Sequence, residues 1–350
     1  MPATAPLKVV TIGAGYFSRF HHDGWARMDR VNLAAVCDAD RAKAEAYARE
    51  FGVPAVYTDP AEMIAAEKPD LVDIITPPAT HKALIEMTAA AGIDTICQKA
   101  FCRTLDEARE AVEIARAAGI LLVVHENFRF SPWFVEIRRL IDTGAFGDIF
   151  GLSFRLRPGD GQGPRAYLDR QPYFQTMDRF LIHETAIHFI DTFRYLLGEP
   201  QSVYADLRRL NPAIVGEDSG IFVMDHGGGV RALFDGNRLS DHPADNRRLT
   251  MGELFLDGSK MALWLDGYGK LFTRPFGTND WVPHDYEWQE IGFAGDAVRA
   301  TEAHIVAHIL DGAPLHNSAA DYIANLVIED AIYRSSAEGR RIALDGGGDA

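Results

Sequence analysis

Three positions in the 350 residues carry groups suited to moving a hydride and a proton. The first is the run Val9-Val10-Thr11-Ile12-Gly13-Ala14-Gly15-Tyr16-Phe17-Ser18, apolar residues that turn at glycine into a helical segment. Gly13 permits a tight turn. Gly15 lets the backbone approach a pyrophosphate, which the free N–H groups and dipole of the following helix favour. Ser18 takes the third place of the fingerprint and is small enough for close helix–strand packing. Asp38 ends the next apolar run about 20 residues later, where a carboxylate holds the ribose hydroxyls of a dinucleotide and repels a 2′-phosphate. The pattern therefore points to NAD. The second position is Lys99, after another apolar run, an ammonium that can donate to a reacting oxygen and lower the pKa of an alcohol. The third is Glu184-Thr185-Ala186-Ile187-His188. Four residues on an α-helix put the carboxylate and the imidazole on one face, and a neutral imidazole is a general base near neutral pH.

The elements that must position these groups are legible in the spacing. Apolar runs at Leu7–Ile12, Asn32–Cys37, Leu71–Thr76, Ile93–Cys97 and Ile120–His125 lack strict alternation, as strands buried on both faces do. Helical stretches lie between them at 40–51, 61–66, 80–91 and 105–118. The last opens with Thr104 and Glu107 at capping-box spacing, and Gly52, Gly92 and Gly119 close three of them. Such alternation predicts a parallel, doubly wound sheet, with ligands at the C-terminal ends of its strands. Thr76-Pro77 with His81, and Gln98-Lys99, lie at those ends. Asn127 and Arg129 follow the last strand. As isolated residues Thr76-Pro77 also reads as a plain turn, His81 as a surface histidine, and His21 and His22 as packing or surface residues.

Beyond residue 126 the pattern changes. A helix at Pro132–Asp142 stops at Gly144, and a polar stretch, Arg157–Gln175, is too long for a simple connection. Arg165, Tyr167 and Tyr173 within it are candidates for substrate contacts. A helix is expected over Arg179–Leu197. Residues 201–291 are strand-like, with turns expected at Gly227-Gly228-Gly229, Asp235-Gly236, Asp257-Gly258 and Asp266-Gly267, and helices at 297–310 and 319–338 follow. The fold class is α/β: a Rossmann domain over 1–125, then an α/β domain over 126–350 with a large, mostly antiparallel open sheet. The tail Gly346–Ala350 is expected to fray.

Composition excludes other classes. Hydrophobic content of 47% and charged content of 24% are those of an ordinary globular protein. A net charge of −15 argues against a nucleic-acid partner. Three cysteines, Cys37, Cys97 and Cys102, do not make a disulfide framework. With neither a leader-like N-terminus nor an apolar stretch of membrane-spanning length, the expectation is a cytoplasmic protein with no membrane partner. His183-Glu184 with His188 resembles a zinc-protease motif, but histidines five apart diverge by about 140° on an α-helix. No metal is expected.

In order along the chain, the GxGxxS start, the VCD strand end, TPxxxH, the lysine after the fifth strand, Asn127-Phe128-Arg129-Phe130-Ser131-Pro132, Gly144-Ala145-Phe146-Gly147-Asp148 and the helix with Glu184, His188 and Asp191 together resemble the Gfo/Idh/MocA (glucose–fructose oxidoreductase/inositol dehydrogenase) family. The resemblance covers nearly the whole length. The family's Glu-Lys-Pro appears as Gln98-Lys99-Ala100, and its Asp-x-x-x-His as Glu184-x-x-x-His188. It implies an NAD-dependent dehydrogenase of a sugar or polyol, with Lys99, His188 and Glu184 catalytic, Gly13, Gly15, Tyr16, Phe17, Asp38, Thr76, Pro77, His81, Gln98, Lys99, Asn127 and Arg129 at the cofactor, and a homo-oligomer formed through the C-terminal sheet. The Tyr167–Leu197 region resembles pentose dehydrogenases, which implies oxidation of a pentose such as apiose at its anomeric carbon. Two other functions stay open: cleavage of a glycoside by a tightly bound, recycled NAD, and a non-catalytic NAD-binding regulator. Asp191 is expected to be structural.

Overall fold

A computed structural model describes residues 6–344; the tail Gly346–Ala350 lies outside the described residues. The chain forms two compact units, one made of Met1–Asn127 with Asp296–Ile323, the other of Phe128–Gly295 with the chain from Ala324 onward.

In the first unit the order is β1 (Leu7–Ile12), α1 (Ser18–Ala26), β2 (Val31–Cys37), α2 (Arg41–Phe51), β3 (Ala55–Tyr57), α3 (Pro60–Glu67), β4 (Leu71–Ile74), α4 (His81–Ala90), β5 (Asp94–Gln98), α5 (Leu105–Ala118) and β6 (Leu122–His125). Six parallel strands take the order β3-β2-β1-β4-β5-β6, the doubly wound Rossmann arrangement. The reversal falls beside β1, so the Gly13–Gly15 turn sits at the crevice where such sheets bind ligands. Local chemistry sets the helix ends. Asp40 and Asp59 accept backbone N–H bonds at the starts of α2 and α3. Thr104 accepts from Glu107 N at 3.1 Å, but the Glu107 carboxylate reaches back to Arg103 N, one residue beyond the usual capping-box partner. Gly52, Gly92 and Gly119 all have positive φ. The three-residue edge strand β3 was not anticipated.

The chain returns to this unit after residue 295. There α8 (Ala297–Asp311) brings Ile305 and Val306 into a core with Leu7, Val9, Trp25, Leu71, Ile96 and Val123. A contiguous second domain over 126–350 was the expectation, and sequence spacing carries no signal for this return.

His21 and His22 on α1 are both fully buried, so the packing alternative holds and the surface one does not. His22 donates through Nδ1 to Ser18 O (2.8 Å), and its Nε2 accepts from Thr11 Oγ1 (2.9 Å). Burial lowers its pKa to about 4. A folded-state value below the unfolded one means that stability is fully present above about pH 6.5 and is lost as pH falls toward 4, by up to about 3 kcal/mol. Urea unfolding between pH 7 and pH 4.5 should show this slope, and His22→Gln should flatten it. An unchanged slope in the variant refutes the assignment.

The second unit contains α6 (Pro132–Asp142), β7 (Ile149–Leu156), α7 (Ile187–Leu197), β8 (Ser202–Arg208), β9 (Ser219–Asp225), β10 (Arg231–Asn237), β11 (Gly252–Gly258), β12 (Met261–Leu265), β13 (Leu271–Pro275) and β14 (Val282–His284). The boundary between the units falls inside α9 (Ala319–Glu338), and β15 (Ile342–Ala343) ends the described chain. Nine strands form one sheet, β14-β13-β12-β11-β7-β10-β9-β8-β15, antiparallel throughout except for β7 with β10. Phe154, Phe189, Phe193, Phe222 and Phe234 pack between α7 and the sheet.

Two expected turns are corrected. Asp257-Gly258 forms the paired end of β11, and the chain turns at 259–260 instead. Asp235-Gly236 lies within β10, which is paired on both sides, Asp235 opposite both Arg155 and Ile221. Gly236 serves packing there: a Cβ would meet Phe234 Cε1 at 2.5 Å and Leu181 Cδ2 at 3.0 Å. The long 157–175 stretch is also ordered. Tyr167, Phe174 and Phe180 pack with Ala166 and Ile214 in a small core of their own. Arg238, fully buried, crosses it to Asp160, Tyr167 and Thr185.

Candidate active site

The site residues divide between the two units, and each unit's share is described by itself. In the first unit, Gly13 has φ +113°, and a Cβ there would stand 2.6 Å from Ile75 O, so only glycine fits. Gly15 is exposed, and a Cβ on it would meet nothing within 4 Å. Asp38 Oδ2 accepts from Ala14 N at 2.7 Å and Oδ1 from Asp40 N at 2.8 Å, which ties the end of β2 to the glycine turn. Tyr47 donates to Gly15 O at 2.6 Å. Tyr16 is exposed and Phe17 half-buried at the start of α1.

The loops after β4 and β5 are joined by His81. Its ring nitrogens lie 2.7 Å from Thr76 O and 2.8 Å from Phe101 O, and the ring is buried. The direct cofactor contact expected of His81 is thus corrected to a staple between two loops. Thr76 is half-buried and Pro77 exposed. Gln98 is almost buried; its Oε1 accepts from Lys99 N (2.7 Å) and its Nε2 donates to His21 Nε2 (2.9 Å). Lys99 is half-buried. The Lys99–Ala100 peptide is cis, with alanine where the related motif carries proline. Asn127 is 1% exposed, and its Nδ2 has no hydrogen-bond partner.

In the second unit, Glu184 and His188 lie on consecutive helical segments rather than on one α-helix. Residues Leu181–Ala186 form a π-helix, and α7 begins at Ile187. The shared-face argument from α-helical spacing therefore does not apply as drawn. Irregular turns of this kind recur at functional sites. Glu217, whose side chain was invisible to spacing arguments, starts the segment: Oε1 accepts from Phe180 N (3.1 Å), Ile182 N (3.0 Å) and Tyr333 Oη (2.6 Å). His188 is buried and stacks on Phe128, with ring centroids 4.0 Å apart and planes 9° from parallel. Glu184 is half-buried, and crowding together with its carboxylate raises the phenol pKa of exposed Tyr173. His183 points elsewhere, to Glu329 (2.8 Å), so the resemblance to a zinc-protease pair does not extend to the geometry.

A further expectation is corrected. Tyr167 is buried and its hydroxyl accepts from Arg238 Nε at 2.9 Å, so it builds the loop core rather than a substrate contact. Arg129 forms a two-point pair with Asp191 (2.7 and 2.6 Å), which also accepts from Asn325 Nδ2. Asp191 is structural, as expected, though its partners lie outside its own helix. Arg165 is exposed and pairs with Asp169. Because Asp191 is 1% exposed, Asp191→Ala leaves a largely buried guanidinium without its carboxylate and should cost about 3 kcal/mol. Denaturant unfolding checks this; a loss below about 1 kcal/mol would refute it.

Residues 7–126 match the Gfo/Idh/MocA oxidoreductase family, NAD-binding Rossmann fold, and residues 134–254 match the Gfo/Idh/MocA C-terminal domain. The chain is 33% identical to a D-apiose dehydrogenase of Paraburkholderia graminis over 97% of this chain and 90% of that protein. A D-apiose dehydrogenase of Rhizobium rhizogenes is 30% identical over 97% of each chain. Among solved structures, an oxidoreductase from Agrobacterium radiobacter in complex with NAD+, L-tartaric acid and magnesium aligns with a TM-score of 0.86 at 28% identity, over 97% of this chain and 98% of that one. The protein belongs to the Gfo/Idh/MocA family and is an NAD-dependent oxidoreductase. The first unit fits that cofactor. The Gly13–Gly15 turn at the sheet crevice and the anchored Asp38 are features of a dinucleotide site, and the buried Nδ2 of Asn127 has no hydrogen-bond partner. All three cysteines are free and buried, and no helix of the described residues is long and apolar enough to cross a membrane.

Proposed function

We propose that the protein is a sugar dehydrogenase acting on a pentose of the D-apiose type, oxidising the anomeric carbon to the lactone. Identity to two D-apiose dehydrogenases, extending over nearly the full length of both partners, carries this reading. Gly13, Gly15, Tyr16, Phe17, Asp38, Thr76, Pro77, Gln98, Lys99 and Asn127 serve the cofactor. Lys99, Glu184 and His188 serve the sugar, with Tyr173 as a further hydroxyl contact. When bound, NAD accepts the hydride. His188 takes the proton of the anomeric hydroxyl as the C–H bond gives up its electron pair and the C=O bond forms. The Lys99 ammonium donates to that oxygen and steadies its developing negative charge. Glu184 orients the imidazole or holds a neighbouring hydroxyl. Stacking on Phe128 holds the His188 ring in place within its unit.

Assembly through the nine-stranded sheet belongs to the same proposal. Leu233, Val223 and Tyr204 are successive cross-strand partners on β10, β9 and β8; Leu233 and Tyr204 are exposed and Val223 half-buried, with exposed Ile221 beside them on β9. An apolar face of this kind suits a second copy of the chain. The buried free thiols accord with a cytoplasmic site of action.

The test is NADH formation with a panel of D-apiose, unbranched aldopentoses, aldohexoses and inositols. One NADH per sugar, with kcat/KM highest for D-apiose, is expected. Inositols preferred over every aldose would refute the substrate class, and silence across the whole panel would refute the dehydrogenase reading itself.

A further inference from the structure

Beneath Lys99 lies a group of buried polar side chains from five elements: His21 and Trp25 of α1, Asp73 of β4, Gln98 of β5, His125 of β6 and Glu302 of α8. All belong to the first unit. We infer that His21 is a positioning residue for Lys99, acting through the side-chain amide of Gln98, and that a neutral amide at 98 is matched to a neutral His21. This rests on the catalytic role proposed for Lys99.

Donor logic fixes the chain of bonds. A backbone N–H can only donate, so the Gln98 atom 2.7 Å from Lys99 N is the accepting Oε1. The amide nitrogen then faces His21 Nε2 at 2.9 Å and donates, so that nitrogen must be an acceptor. A neutral imidazole with a bare Nε2 carries its proton on Nδ1, and Nδ1 lies 2.8 Å from Asp73 Oδ2, which also accepts from Trp25 Nε1 at 2.8 Å. Each bond therefore sets the next: Asp73 and Trp25 hold His21, His21 holds the Gln98 amide, and Gln98 holds the backbone of Lys99. With Glu in place of Gln98, a carboxylate oxygen would face the bare nitrogen, and His21 would have to take up a proton.

The same logic decides against the other reading of this cluster. His21, His125 and Glu302 place ligand atoms within 4.8 Å of one another, and both His125 nitrogens and both Glu302 oxygens lack hydrogen-bond partners. Those are donor types for a divalent transition metal. The His21 nitrogen nearest Glu302 is Nδ1, at 3.8 Å. It carries the proton given to Asp73, and a metal there would force the amide to turn and break its bond to Lys99 N.

Three full-length variants test the relay: Gln98→Met, Gln98→Glu and His21→Phe. The main readout is hydrogen exchange at the Lys99 amide, which needs neither substrate nor turnover. Gln98→Met and His21→Phe should speed that exchange at least tenfold while β1 and β2 keep their protection. Gln98→Glu, which keeps an acceptor, should stay near wild type. In the first two variants kcat should fall about 10- to 100-fold, as for a misplacement near 1 Å. Should His21→Phe not fold, Gln98→Met carries the test. Three results would overturn the relay: unaltered Lys99 exchange in Gln98→Met, loss of protection across the whole sheet, or one equivalent of divalent metal in the purified protein that Glu302→Gln releases. Faster Lys99 exchange with unchanged kcat upholds the relay and instead sinks the catalytic role of Lys99.

Discussion

Replacing His188 by Asn should lower kcat by about 10²–10⁴-fold, the usual worth of a positioned general base, while NAD still binds. The same range is expected for Lys99→Ala, because without the ammonium the oxygen loses the donor that steadies its charge. The losses should not add when both are changed, since two groups serving one proton transfer fail as a unit. His188 is the sharper test. It is buried, it stacks on Phe128 within its own unit, and Asn keeps a polar group while removing a titratable one. Pre-steady-state NADH formation under saturating sugar separates chemistry from binding and product release. A kcat within threefold of wild type for His188→Asn would remove it from the mechanism, whatever the substrate proves to be.

The second large effect concerns the glycine turn, where two substitutions one residue apart should fail in different ways. Gly13→Ala forces a Cβ to within 2.6 Å of Ile75 O at φ +113°. Strain in that region and overpacking each cost about 1–3 kcal/mol, so the stability of the first unit should fall by about 3 kcal/mol, and NAD binding with it. Gly15→Ala meets nothing within 4 Å and should leave the unfolding free energy within about 1 kcal/mol. Its cost falls on the cofactor, whose pyrophosphate needs the bare backbone there, and NAD affinity should drop at least tenfold. Thermal unfolding with and without NAD measures both. Equal destabilisation by the two alanines would show that Gly15 is a folding residue and not a contact.

Much of this was legible in the sequence because it is local. The strand–glycine–helix run around Gly13, the carboxylate at the end of β2 and the Thr104 cap each involve neighbours within one or two elements, and backbone sterics leave few other arrangements. The helices at 132–142 and 319–338 begin and end where their apolar spacing and proline or glycine neighbours place them. Order along the chain was equally informative, since alternating strands and helices admit a single common handedness and a short list of sheet orders.

Other features were decided only when distant residues met. A dipeptide such as Asp235-Gly236 has turn chemistry, yet ladder bonds to β7 and β9 on both sides outweigh it. Tyr167 was a plausible sugar contact until Arg238, from β10's end, claimed its hydroxyl. The π-helix of Leu181–Ala186 depends on Glu217 and Tyr333, which no periodicity connects to it. Glu302 and His21 are 281 positions apart, and only the return of α8 onto α1 brings them side by side. The amino-acid order alone thus determined most of the local elements and which cofactor they suit, because hydrogen-bonding geometry and dihedral preference act over a few residues. Which side chains are consumed by structure and which are held for chemistry was settled by the tertiary fold, because burial and the demand that every buried donor find an acceptor are properties of the folded whole.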